Sequence, residues 1–362
     1  MTHIFRTLNL KMSADTARKK FRGCLLGSLM GDCLGAPFEG QEISSGDKII
    51  IQRYFDKMEN PNFKSPFKKY TDDTAMMLSI VKYLLDKPDP EHEDSLRHLA
   101  RLFVNSFFQE PNRGYGQNVV VVFDKLKNTK YTDIFKPAKD QFNGNGSYGN
   151  GSAMRIAPIP LLFCNDERMT NIVVRTSKIT HSNALAINGA LLQSAAICEA
   201  FVADSVLDRD KYIDSLLTRI KDIESSADDD KDLEDQTPFY EKMKVVRKLL
   251  NREHSNDLDD EVIYSLGNGI SAYESVPTAI YCFLRALHVI PKINTKNPFR
   301  RTLQYAITLG GDTDTIACMA GAIAGAYYGE DVINKAIMKH CEKYEEVISL
   351  ADQLYENYVK MA

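Results

Sequence analysis

The sequence predicts an all-α protein, a single compact multi-helix domain. Three observations predict it. Apolar residues recur at helical spacing in run after run, and helix-capping or breaking residues separate the runs. Convincing alternating strands are missing, and the β-branched stretch Val119 to Phe123 is embedded in helical text. Finally, two acidic helix starts, Tyr70-Thr71-Asp72-Asp73-Thr74 and Gly310-Gly311-Asp312-Thr313-Asp314-Thr315, lie near opposite ends with no Ser/Pro/Gly-rich linker between them. If they meet, one domain encloses both.

The first 22 residues hold Arg6, Lys11, Arg18, Lys19, Lys20 and Arg22 against one acid, Asp15. Residues 1–19 are read as a flexible basic tail, with a mitochondrial transit peptide as the alternative. The domain is assigned to 20–362. Its first helix spans 21–34, with Cys24, Leu25, Leu26, Leu29, Met30 and Cys33 at helical spacing. Gly35-Ala36-Pro37 breaks it and leads to Phe38-Glu39-Gly40. The next 25 residues or so mix charge, Pro and Gly and are expected to be loop with a short helix. Helices are expected over 73–86, 91–108, 115–127 and 131–140. The Gly- and Asn-rich loop Gln141–Gly151 follows, then a helical stretch with Met154 and Ile156. Further helices are expected over 168–178, 183–203, 208–223, 238–251, 258–266, 277–288, 298–308, 314–328 and 331–357. The acidic run between Glu224 and Pro238 reads as a solvated loop.

Composition bounds the function. The chain has 362 residues, 44% of them hydrophobic, which is ample for a core. Lys plus Arg (45) against Asp plus Glu (49) leaves −4, too balanced to argue for a nucleic-acid or membrane surface. No run reads as long and apolar enough to span a bilayer; the best candidate, Ile316 to Tyr328, is short and rich in Ala and Gly. The seven cysteines are scattered without a Cys-x-x-Cys, so they read as reduced core thiols of an intracellular protein, with neither disulfide nor zinc site.

The chemistry is concentrated at the two acidic starts. Asp and Thr cap helices, and acids there suit the helix dipole, so one such start alone is unremarkable as structure. Two of them supply four carboxylates and several hydroxyls, an all-oxygen donor set that suits a pair of hard cations. The loop contains Gly144-x-Gly146-x-x-Gly149, but no apolar strand precedes it and no ribose-binding acid follows, so it is not a dinucleotide fingerprint. Its glycines could still expose amides to a phosphate, with Phe142 and Tyr148 beside an adenine; a mobile surface loop is the other reading. Asp312-x-Asp314 is not a haloacid-dehalogenase-type nucleophile pair, because no α/β alternation surrounds it. It is not an EF-hand either, because Ile316 occupies a ligand position. His181 precedes the Ala-rich helix start, and Glu39 sits in a glycine–proline break, where a mobile loop could bring an acid to a cation site. Arg113-Gly114-Tyr115-Gly116 is a further glycine turn of unassigned role.

These stretches together resemble the ADP-ribosylglycohydrolase family, of the dinitrogenase-reductase-activating type. The matching text is Gly31-Asp-Cys-Leu-Gly35 with Glu39; Tyr70 to Met76; Arg113 to Gly116; Gln141-Phe-Asn-Gly144 with Gly146 to Gly151 and Ala153-Met-Arg155; Thr180-His181; Leu266 to Ile270; Glu274 to Arg285; and Gly310 to Tyr328. It covers nearly all of residues 20–358. The resemblance implies an all-helical domain holding two Mg²⁺ ions on Thr71, Asp72, Asp73, Asp312, Asp314 and Thr315. It implies Glu39 as the catalytic acid on a movable flap. Phe142 and Tyr148 would sandwich adenine with Ile270 nearby, Gly146 and Ser147 would bind pyrophosphate, His181 would touch the distal ribose, and Gly114 would join the substrate site. Implied substrates are those of the vertebrate branch: ADP-ribose on serine of proteins, poly(ADP-ribose) and O-acetyl-ADP-ribose. A non-catalytic ADP-ribose binder and an arginine-ADP-ribose hydrolase are the alternatives. A monomer acting in cytoplasm and nucleus, or in the mitochondrial matrix if the tail is a transit peptide, is expected. Pro37 in the flap and Ser152 after the glycine loop depart from the family pattern, and Pro37 bears on how far the flap opens.

Overall fold

The computed structural model describes residues 12–86, 89–164, 166–204, 206–225, 237–252 and 258–361. Helix α1 (Ala14–Gly35) starts at Ser13, whose hydroxyl accepts the Thr16 amide at 3.1 Å. Residues 14–19, expected in a tail, are therefore helical; residues 1–11, where the transit-peptide question rests, lie outside the described residues. A 3₁₀ turn, Ala36–Phe38, presents Glu39. The segment expected to be mostly loop instead forms the full helix α2 (Ser45–Glu59). A capping box between Ser44 and Asp47 starts it, and Ile51, Phe55 and Met58 form its buried stripe.

Helices α3 (Asp72–Asp86), α4 (Glu93–Gln109) and α5 (Gln117–Asn128) lie where the periodicity places them. The helix expected over 131–140 shrinks to α6 (Lys136–Lys139). Lys130 and Tyr131 take positive φ, and the Asp133 carboxylate accepts the Phe135 and Lys136 amides in an Asx turn that ends just before the short helix. The stretch with Met154 and Ile156 is turn; helix resumes with α7 (Pro158–Phe163). Then come α8 (Arg168–Lys178), α9 (Ala184–Val202), α10 (Arg209–Ser225), α11 (Pro238–Leu250) and α12 (Leu258–Leu266). Residues 226–236 of the acidic run lie outside the described residues. Its first member, Glu224, is no solvated acid: it is buried and accepts the Phe239 and Tyr240 amides at 2.8 and 3.0 Å, satisfying the start of α11. Helix α13 (Ala272–Ala286) begins five residues before the expected start and carries Pro277 inside it. Helices α14 (Pro298–Thr308) and α15 (Thr313–Tyr328) follow. The single helix expected over 331–357 is broken into α16 (Lys335–Met338) and α17 (Tyr344–Met361), with Lys343 at φ 58° between them. Among the described residues, extended pairings are three isolated bridges: Gln41 with Gly311, Lys68 with Cys341 and Gly149 with Ser271.

The axis of the molecule is the antiparallel pair α1 and α15. Gly23, Gly27, Gly31 and Gly35 recur every fourth residue and face α15. A Cβ on Gly27 would lie 2.0 Å from the Gly321 carbonyl oxygen, and one on Gly31 2.1 Å from that of Ala317. Only hydrogen fits in that seam, so the two backbones touch. The last contact sets Gly35 against Asp314, which fixes the end of α1 beside the start of α15.

Two sequence expectations are corrected here. Cys164 and Cys198 form a disulfide between the end of α7 and α9, with Cα atoms 5.2 Å apart, whereas Cys24, Cys33, Cys282, Cys318 and Cys341 are free and buried. The two partners are 34 residues apart, and only the packing of α7 on α9 brings them within bonding reach. Helix α9 is also long and apolar enough, by length and composition, to cross a membrane. Most of it is buried inside the fold, which accounts for its apolarity as that of a core helix.

Candidate metal and substrate site

The two acidic helix starts meet. The Thr315 hydroxyl donates to Asp73 Oδ1 at 3.4 Å, across 242 residues of sequence. Asp72, Asp73, Asp312 and Asp314 are thereby gathered with Thr71 and Thr315 where α3 and α15 begin. Glu39 joins them from the flap: one carboxylate oxygen each from Glu39, Asp312 and Asp314 lies within 4.8 Å of the others. The flap is pinned behind Glu39, where the Gly40 amide donates to Gly311 O at 2.8 Å and the Gly311 amide to Gln41 O at 3.1 Å.

Local structure positions each ligand candidate. Thr71 precedes α3, and its hydroxyl accepts the Asp73 amide at 3.4 Å, so part of its role is capping. The Thr71 amide donates to Asp32, and the Asp72 amide to Arg113 O at 2.7 Å. Asn150 donates to Asp312 Oδ2 at 2.6 Å, and the Asp312 amide donates to Asn268 O at 2.8 Å.

Like charges dominate this cluster, with the buried Arg155 guanidinium within electrostatic reach of Asp72. Burial pushes the Asp72 carboxyl up to about 8, and the like charge of Asp32 adds to it. Burial drives Asp73 and Asp314 well above the carboxylate range, with the charges of Asp314 on the first and Asp312 on the second next in size. Asp312 is raised by burial, and Glu39 by burial and then by Asp312. Asp73 Oδ2 is buried without any hydrogen-bond partner. Orphaned carboxylate oxygen, hydroxyls at both helix starts and an excess of negative charge all fit a hard cation with oxygen ligands. The cluster can bind a metal.

Beyond it lies the glycine loop. Phe142 and Tyr148 face one another with centroids 6.1 Å apart and planes 39° apart, and both are about half exposed. A base between two rings needs about 7 Å, two van der Waals spacings, so these exposed rings would part slightly to admit one. Ile270, 69% exposed, is tied to this loop through its carbonyl, which accepts the Asn150 amide at 2.9 Å. Gly146 takes φ +69°, and a Cβ there would lie 2.1 Å from Ser182 Oγ. Its amide donates to Gln141 O, so Gly146 shapes the loop and does not offer a free donor. Ser147 Oγ accepts the Gly149 amide. His181 is buried against Gly149 and Gly151, and its Nδ1 pairs with Thr180 Oγ1 at 2.8 Å. Burial, then the charge of Arg155, holds its pKa down to about 3, so it is a neutral hydrogen-bonding group. Gly114 stands apart from the loop: a Cβ there would lie 3.7 Å from Asp72 Oδ1 and 3.8 Å from Thr71 Cβ.

Three residues with a part in this site were given no role of their own by the sequence reading. Asp32, fully buried, accepts the Thr71 amide, the Thr74 amide and the Thr74 hydroxyl, the last at 2.5 Å. An acid within the buried, apolar second half of α1 was its signal. Asn150 joins the glycine loop to Asp312 and to Ser275 Oγ. Arg155, also fully buried, lies 4.6 Å over the Phe103 ring and donates to Thr176 O.

Comparison with known proteins agrees with this geometry. The family model described as ADP-ribosylglycohydrolase matches residues 13–361. Similar curated proteins include "ADP-ribosylhydrolase ARH3" of Homo sapiens, 41% identical over 356 residues and covering 96% of each chain. The protein of the same name in Gallus gallus is 41% identical, covering 94% of this chain and 93% of its own. A solved structure described as "ADP-ribosylglycohydrolase-related protein complex" superposes with a TM-score of 0.65 at 20% identity, covering 94% of this chain and 99% of that one, a likeness in fold. With the family model spanning almost the whole chain and relatives above 40% identity end to end, this protein belongs to the ADP-ribosylglycohydrolase family and is a glycosyl hydrolase.

Proposed function

We propose that this protein hydrolyses the C1″ glycosidic bond joining ADP-ribose to serine on proteins, and the corresponding bonds of poly(ADP-ribose) and O-acetyl-ADP-ribose, with two Mg²⁺ ions as cofactor. The observation that carries the reading is the convergence of both acidic helix starts with Glu39 at one point. The similarity to ARH3 proteins supports ADP-ribosylated substrates.

In this reading Thr71, Asp72, Asp73, Asp312, Asp314 and Thr315 hold the cations. When bound, these supply positive charge beside the ribose hydroxyls and lower the pKa of a nearby water. Phe142 and Tyr148 grip the adenine, the 146–147 turn lies along the pyrophosphate, and neutral His181 hydrogen-bonds the distal ribose. Bond breaking at C1″ passes through an oxocarbenium-like transition state. Glu39, its carboxyl raised by burial and Asp312, takes the proton of the attacking water as that oxygen bonds to C1″ and the bond from C1″ to the serine oxygen breaks, and then passes the proton to the departing serine oxygen. Glycosidases commonly use two carboxylates for this work; here one acts and the cation site takes the second part.

The test is to supply Mg²⁺ and compare a serine-ADP-ribosylated peptide with an arginine-linked one. Release of ADP-ribose from the serine peptide alone is expected. Release from the arginine peptide alone would replace the proposed specificity, and tight ADP-ribose binding without any release would make the protein a binder.

A further inference from the structure

We infer that Arg113 is a positioning residue for the cation site, holding the Thr71–Asp72 start of α3 in register; this rests on the cation reading given above. Its side chain is 8% exposed, and both terminal nitrogens are engaged. Nη1 donates to Tyr70 O at 3.0 Å and to Glu342 Oε2 at 2.6 Å; Nη2 donates to Glu342 Oε1 at 3.1 Å and to Glu110 Oε1 at 2.7 Å. The guanidinium lies 3.7 Å over the Tyr70 ring, whose hydroxyl donates to Glu110 Oε2 at 2.9 Å. The carbonyl of the same Arg113 accepts the Asp72 amide at 2.7 Å. Arg113 thus grips the residue before Thr71 with its side chain and the residue after it with its backbone, while Gly114 abuts both ligand candidates.

Glu342 comes from the break between α16 and α17. That break is fastened to the same strip, since the Glu342 amide donates to Lys68 O at 3.0 Å and the Lys68 amide to His340 O at 2.7 Å. The interruption of the expected C-terminal helix therefore delivers a carboxylate to the support of the site. Reaching two acids and a carbonyl from one side chain takes the several donors of a guanidinium fork, which a lysine ammonium cannot match. With its charge shared between Glu110 and Glu342, Arg113 also adds little repulsion toward a cation. Supporting residues of this kind commonly tune metal affinity by about 10–100-fold.

Arg300 provides a matched comparison. It is 2% exposed, forks between Asp56 and Glu59, and lies 5.5 Å over the Phe55 ring, on α14 and away from the acidic starts. Mg²⁺ binding to the full chain is measured by calorimetry without substrate, beside thermal unfolding, for wild type, Arg113→Lys, Glu342→Gln and Arg300→Gln. Arg113→Lys should weaken Mg²⁺ binding by about 10–100-fold, and Glu342→Gln, which keeps the Glu110 contact should Arg113→Lys fail to fold, should weaken it in the same direction. Arg300→Gln should lower the melting temperature and leave Mg²⁺ affinity within about two-fold, as expected for support distant from the ligands. Wild-type affinity in both Arg113→Lys and Glu342→Gln, or an equal loss in Arg300→Gln, would overturn the assignment. A wild type that takes up no Mg²⁺ would overturn the cation reading itself, and this one with it.

Discussion

Glu39 has the most exacting position of any single residue. It is an exposed acid on a short turn, yet its carboxylate reaches the buried Asp312 and Asp314. Glu39→Gln keeps size and hydrogen bonding and removes the titrating group. Turnover should fall by about 10²–10⁴-fold, the range for general acid–base catalysis, while calorimetry with ADP-ribose shows unchanged affinity. A kcat within a few-fold of wild type would take Glu39 out of the proton transfer. In the proposed function Phe142 and Tyr148 serve binding alone. Phe142→Ala or Tyr148→Ala should weaken ADP-ribose by about 1–3 kcal/mol, as base–aromatic stacking does, and leave Mg²⁺ uptake intact; unchanged ADP-ribose affinity would reject the adenine assignment. Among residues, the gathering of Glu39 and the acids of the two helix starts was legible because their type declares a capacity for cations. Asp32, Asn150 and Arg113 were not, because their work is to aim other groups, and only coordinates show what a buried polar group points at.

At the scale of elements, the seam between α1 and α15 sets where the acids lie. Gly27 and Gly31 leave room for hydrogen only, so Gly27→Ala must push the helices apart. A loss of about 1–3 kcal/mol is expected, the usual range for overpacking, read by denaturant unfolding; unchanged stability would mean that the seam is looser than the structure has it. The Ala- and Gly-rich composition of α15 was visible in the sequence, but its packing partner was not, since sequence does not say which of many helices a small-residue face meets. Helix α2 is longer than the short helix expected there, because its charged surface hid the extent of a buried stripe of Ile51, Phe55 and Met58. The break before α17 was missed for the opposite reason. Residues 331–357 are periodic enough for one helix, and a left-handed Lys343 interrupts them to bring Glu342 to Arg113.

At the scale of the whole molecule, the fold holds several carboxylates together out of water, and its stability should report this. Burial and the like charge of Asp32 push the Asp72 carboxyl up to about 8 in the folded chain, against an ordinary value near 4. Between those values the folded state binds more protons than the unfolded one, so stability falls as pH rises. Buried neutral His181 works the other way, but only below about 6.5, and Lys20, lowered to about 8 by burial, only above that value. Within pH 6.5–8, metal-free protein should lose on the order of 1–2 kcal/mol from such a group, read by denaturant unfolding, and Mg²⁺ should flatten the slope. Stability rising across that window without metal would show that the acids are already compensated.

In the proposed function α3 and α15 build one cation site. Calorimetric titration of Mg²⁺ into wild type, Asp72→Asn and Asp314→Asn, each checked for intact helical circular dichroism, tests it most directly. Each single change lies on a different helix, more than two hundred residues from the other in sequence. Removing either carboxylate should abolish measurable Mg²⁺ uptake while the helical signal stays at the wild-type level. Wild-type Mg²⁺ binding retained in either variant would contradict the shared site.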